Sequence, residues 1–311
     1  MNPKQRTKAV AELEHVFAEC PDVNIVVTND FDDVVTEYLA KRGVSVHYES
    51  KRFGGEVVAG KTLNYSIDRR LGTCLVINAN APMFSNWEEP QARMERLFFL
   101  SHEKKHVLLN NSRHVALGHE AFFSAPRTAR EWMKSLADDV ASEYLAESYA
   151  ISQLLKMNES DLGLPEGVIT NYLFDRQNGF KTTLSLYFGS LESFVLESTV
   201  RYSNADIDMN ELWGCVYLRV RDALNVLALM AAGVHSTPPI AESGSIESIL
   251  AFTSSLKDTW QEVERHFRLI KDDPTGYEQT LLGLASYFES LFLRLGIRLC
   301  DGPRGLVLSL I

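Results

Sequence analysis

The sequence predicts an α+β fold, with a small, mostly antiparallel sheet and its helices in the first half and an α-helical bundle in the second. Three observations predict it. Short alternating runs separated by glycine turns fill residues 44–79. A stretch at 91–109 repeats apolar residues every three or four positions. From residue 184 onward the same helical spacing recurs between glycine and proline breaks, without alternation. Period two marks half-buried strands, and a period near 3.6 marks amphipathic helices.

The elements follow in order. Residues 3–18 read as a helix, and 24–28 (Asn-Ile-Val-Val-Thr) as a short strand or a lead-in. Asn29 or Asp30 can cap a helix over 32–41 that Gly43 closes. Strands are expected at 44–48, 56–59, 62–67 and 74–79, with turns at Gly54-Gly55 and Gly60-Lys61. Pro90 suits the first turn of the next helix, because its missing N–H bonds nothing there, and Glu88 and Glu89 suit the positive end of its dipole. Along this helix Met94, Phe98, His102, His106 and Leu109 form one stripe. Residues 110–130 read as irregular, and a further helix covers 138 to about 156. The polar, breaker-rich stretch 158–167 sets a boundary, giving units 1–160 and 161–311. Helices are expected at 184–200, 210–232, 245–270 and 275–300, with breaks at Gly179, Gly233, Pro238-Pro239, Gly244 and Pro274. Residues 220–232 are apolar enough for the central helix of a bundle, and Trp213, Trp260, Tyr277 and Phe288 read as core.

The segment His102-Glu103-Lys104-Lys105-His106 carries the sharpest chemistry. Residues i and i+4 share a helix face, so both imidazoles can point at one ion, with Glu103 about 100° round the helix beside it. This is the H-E-x-x-H arrangement in which two neutral nitrogens hold Zn²⁺ and the carboxylate takes a proton from water. Lys104 falls roughly 200° from His102. It and Lys105 are read as solvated, which implies an open back to the helix.

A third protein ligand is needed, with one position left for water. Glu143 and Glu147 lie one turn apart on the later helix, beside the small Ala146. Glu143 is the expected ligand, Asp139 its reserve, and Glu147 the acceptor that fixes the N–H of a ligating histidine. The competing assignment makes both glutamates a solvated acidic face paired with Lys134 or Lys156. Tyr149, His119 and Arg201 are candidates for stabilising an oxyanion.

Together these segments resemble the ImmA/IrrE family of metallopeptidases. The resemblance rests on Val76-Ile77-Asn78 as a strand, Arg93 to Glu103 as the approach to the metal motif, and Glu143-Tyr144-Leu145-Ala146-Glu147-Ser148-Tyr149-Ala150 as the later element. It places Glu143 on the family's ligand position and Tyr149-Ala150 on its Phe-Ala pair. Lys104 and Lys105 depart from the small or apolar residues usual inside the motif, and Glu147 stands where Asn or Asp is usual. The resemblance covers about the first half of the chain. It implies a zincin-like domain, a Zn²⁺ cofactor, and an endopeptidase acting on a regulatory protein, typically a repressor. The helical half would then recognise that substrate or a signal. The rival implication is a weakly catalytic or non-catalytic sensor, antitoxin or antiphage module on the same fold.

Composition narrows the classes. At 45% hydrophobic and 23% charged residues the chain is globular. Its net charge of −10 disfavours direct nucleic-acid binding, which draws on phosphate neutralisation. There is no helix-turn-helix, repeat or glycine-rich phosphate loop. No apolar run reaches membrane-spanning length, and the charged start lacks the apolar core of a secretion signal. Cys20, Cys74, Cys215 and Cys300 are too scattered for a sulfur metal site or a disulfide framework. A cytoplasmic protein is expected.

Overall fold

The computed structural model describes residues 3–20, 22–40, 58–237, 258–272, 276–303 and 305–311. The strands expected at 44–48 and over 56–57, the start of the helix at 245–270, and the breaks at Pro238-Pro239, Gly244 and Pro274 lie outside these residues. The architecture is mixed α+β and mainly helical. The chain divides into two compact units: residues 1–124 with 149–169, and 125–148 with 170–311. Each unit is discontinuous, and residue 160 falls inside the first.

In the first unit, helix α1 (Pro3–Val16) precedes strand β1 (Val23–Thr28), helix α2 (Phe31–Ala40), strands β2 (Gly60–Ile67) and β3 (Arg70–Asn78), and helices α3 (Pro82–Ser85), α4 (Pro90–Leu117) and α5 (His119–Phe123). The described sheet has the order β1-β3-β2. β1 runs parallel to β3 (Val23 opposite Thr73) and β2 antiparallel to it (Leu63 opposite Cys74). The described sheet is therefore evenly mixed, where a mostly antiparallel sheet was expected, because β1 runs parallel to its neighbour β3.

β3 reads as a continuous apolar run because it is covered on both faces. Leu75 and Ile77 join Leu13, Phe17, Phe84, Trp87, Leu100 and Val107 in one core. Cys74 and Val76 join Phe31, Val35 and Leu63 in another. Consecutive residues of one strand thus serve opposite cores, as a pleat of period two requires.

α4 begins at Pro90 and runs unbroken to Leu117, past the limit of 109 expected from the sequence. The polar Asn110, Asn111 and Ser112 do not stop a helix, whereas Gly118, with φ of +78°, does. Much of the stretch predicted to be irregular is therefore helical. At the other end, the buried Arg96 clasps the approach to the helix, donating to the carbonyls of Met83, Asn86 and Trp87 and pairing with Glu12 at 3.1 Å.

Helix α6 (Ala129–Leu155) has its residues divided between the units at 148/149. A 3-10 turn (Glu159–Leu162) follows it. In the second unit come α7 (Val168–Gly189), α8 (Leu191–Ser203), α9 (Met209–Ser236), α10 (Thr259–Asp272) and α11 (Tyr277–Arg294), closed by a hairpin of β4 (Ile297–Gly302) and β5 (Gly305–Leu310). The hairpin corrects the all-helical expectation. Ile297 and Leu299 alternate inward on β4, and Gly296, with φ of +85°, ends the helix before it.

α9 is opened by a capping box in which Asp208 and Glu211 satisfy each other's backbone N–H groups. It is the buried centre of its unit: Val220, Leu224, Leu227 and Ala228 are fully covered. Gly233 lies inside this helix and does not break it. A Cβ there would overlap the buried side chain of Gln177, so the glycine marks a close approach of α7 and α9. Gly179 likewise sits within α7. Trp260 and Phe288 are core as expected, and Tyr277 donates to Asp138 from the core's edge. Among the described residues no helix is long and apolar enough to cross a membrane.

Candidate metal centre

α4 carries the histidines to one place because four residues make just over one helical turn. His102 Nε2 and His106 Nε2 lie 3.0 Å apart, with ring centroids at 4.8 Å. Glu143 on α6 completes the group, and the donor atoms of all three lie within 4.8 Å of one another. Each of the three residues is half-buried. An ion bound tetrahedrally at about 2.0–2.2 Å holds its ligands somewhat over 3 Å apart, so the trio is of the right size. Two imidazoles with one carboxylate suit a borderline divalent ion, and this cluster could hold one.

Glu103 is buried, and its Oε2 accepts a hydrogen bond of 2.6 Å from the Thr62 hydroxyl on β2. Thr62 is a partner of the candidate site that the sequence reading missed. Alternation placed it on a strand, but nothing local says which helix faces that strand.

Of the two lysines inside the motif, expected to be solvated, Lys104 is largely covered and Lys105 is half-buried, so the back of α4 is not open there. Lys104 is only 12% exposed in its side chain and pairs with Glu19 at 3.1 Å. α1 covers that side of α4, packing Leu13 and Phe17 into the core that holds Leu100 and Val107. Lys105 lies with its Nζ 5.7 Å from the Tyr149 ring centroid, and burial pushes its pKa below the usual ammonium value. Lys104 is thus neutralised by a carboxylate, and Lys105 rests on an aromatic face.

Glu147 is fully buried, and both its oxygens accept from Arg176, at 2.6 and 3.0 Å. Its pairing is with Arg176, which the sequence reading did not consider, and Lys134 pairs with Glu278 instead. No short-range spacing links positions 147 and 176. Asp139 is exposed and outside the donor cluster. Of the oxyanion candidates, Tyr149 faces Lys105. Arg201 is exposed at the end of α8. His119 stands on α5, where Nε2 meets Ser66 Oγ at 2.8 Å and Nδ1 meets His114 Nε2 at 3.1 Å. His119 is not a member of the donor cluster. Compared with family models, curated proteins and solved structures, the chain matches none.

Proposed function

We propose that the chain is a zinc-dependent endopeptidase, a zincin-like enzyme of the ImmA/IrrE kind. The observation that carries this reading is the convergence of His102, His106 and Glu143, with Glu103 next to His102 in the chain and hydrogen-bonded to Thr62. The donor types and their spacing fit Zn²⁺. A bound zinc ion supplies Lewis acidity and lowers the pKa of a water molecule toward neutrality. Glu103 receives the proton released at its carboxylate and hands it to the leaving amine. Thr62 keeps one carboxylate oxygen in place while the other takes part in transfer. Lys104 is paired with Glu19 and Lys105 is laid against Tyr149, so each positive charge has a partner of its own, which eases the main objection raised by their charge.

The substrate class follows from the resemblance: a regulatory protein such as a repressor, met in the cytoplasm without direct nucleic-acid binding. The net charge of −10 favours a partner with a basic patch. The test uses a proteome-derived peptide library read by mass spectrometry. Zinc-loaded wild type is expected to cleave it, Glu103→Gln to keep zinc and lose cleavage, and His106→Ala to lose both. Cleavage by pure Glu103→Gln protein would remove Glu103 from the reaction. A folded wild type without zinc would sink the enzyme reading in favour of a binding module.

A further inference from the structure

We propose that His114 and His119 form a second, accessory site for a divalent transition-metal ion, separate from the candidate centre and independent of whether the chain is a peptidase. His114 lies eight residues beyond His106 on the same helix, about 12 Å along its axis, so one ion cannot serve both pairs. α4 carries His114 in its last turn, Gly118 turns the chain, and α5 opens with His119 facing back. The outcome is His114 Nε2 at 3.1 Å from His119 Nδ1. That separation nearly equals the 3.0 Å between the His102 and His106 nitrogens.

The other nitrogen of His119 selects what can fill the gap. Ser66 Oγ, at 2.8 Å from Nε2, can accept its N–H, which leaves the Nδ1 lone pair aimed at His114. A partner that fixes the far nitrogen in this way orients a metal-binding imidazole. A cation between the two nitrogens can use both lone pairs at this spacing; without one, His114 Nε2–H can donate to the same Nδ1. The rings are held in place by aromatic packing: Phe122 and Phe123 lie against His114 at centroid distances of 5.4 and 6.4 Å, and Phe123 against His119 at 4.8 Å. Both histidines are half-buried, so water can complete the coordination. Imidazole pairs of this kind favour Zn²⁺, Ni²⁺ or Cu²⁺ over Mg²⁺ or Ca²⁺. A bound ion would fasten α5 to the end of α4 and, through Ser66, to β2.

Zinc is the probe. The full-length chain is equilibrated with Zn²⁺, and bound metal is counted by elemental analysis, with circular dichroism to confirm folding. His106→Gln is expected to retain the second ion, and the double variant His106→Gln/His119→Gln to retain none. Ser66→Ala in the His106→Gln background is expected to weaken the remaining site about tenfold. If folded His106→Gln protein binds no zinc, or if its zinc survives both His114→Gln and His119→Gln, the proposal is overturned and the pair is an N–H···N hydrogen bond. His119→Gln on short α5 keeps the test open should His114→Gln fail to fold.

Discussion

Thr62 donates its hydroxyl hydrogen to Glu103 Oε2 at 2.6 Å, a bond across 41 residues of sequence that ties strand β2 to α4. If Glu103 moves protons, its aim depends on this contact. Thr62→Val keeps the shape and removes the donor. It is expected to lower kcat about tenfold with KM and zinc content unchanged, and Thr62→Ser is expected to restore kcat. Steady-state kinetics on a cleaved library peptide, beside metal analysis, decide it. An equal loss in the serine variant would show that packing matters and the hydroxyl does not.

Glu147 is fully buried and depends on Arg176 for its charge balance. Removing one member of a buried pair strands the other. Arg176→Met should therefore cost about 3 kcal/mol in urea unfolding, toward the low end because Arg176 is itself 29% exposed. Arg176→Lys should recover only part, since an ammonium cannot bind both carboxylate oxygens in parallel. An unchanged midpoint for Arg176→Met would refute this account.

The contact between α9 and α7 predicts a size effect. Gly233→Ala forces a methyl group into Gln177 and should destabilise by about 1–3 kcal/mol. In a Gln177→Ala background the same change should cost much less, and a double-mutant cycle reads the difference as coupling.

Acid should loosen the second unit. Burial chiefly lowers the pKa of His266, with Arg265 adding to the effect, while the Glu262 carbonyl that accepts from its Nδ1 at 2.7 Å and the Glu262 carboxylate pull the other way. His235 is depressed by burial and by Arg268. It lies against Tyr144, Glu264 and Lys271, and the Glu264 carboxylate pulls the other way. Both folded-state values sit below the ordinary imidazole value of about 6.5. The unfolded chain therefore binds the extra protons first, and stability falls as pH drops below that value toward the folded ones. Thermal melts between neutral and mildly acidic pH should show the decline, and His266→Gln should flatten it. Equal pH slopes in wild type and His266→Gln would exclude His266 as a source.

Local spacing made much of this protein legible. The stripe from Met94 to His106 located α4, and the pair Glu143 with Ala146 pointed to the helix whose carboxylate lies near the histidines. Contacts between distant segments were hidden. Thr62 and Arg176 matter because of which element faces them, and no periodicity encodes that. Lys104 looked solvated from its helical angle, but the angle carries no knowledge of α1 and Glu19. The hairpin after Arg294 was absorbed into a helix because its inward residues Ile297 and Leu299 also fit a helical stripe until Gly296 is weighed.

Arg96 gathers three carbonyls and Glu12 round one guanidinium, less than two turns ahead of His102. A helix rotates its side chains by about 100° for each residue of slippage. This anchor therefore works like a keyway on a shaft, setting the azimuth at which both imidazoles emerge. Loosening it would spoil the aim of donors that Arg96 itself never meets.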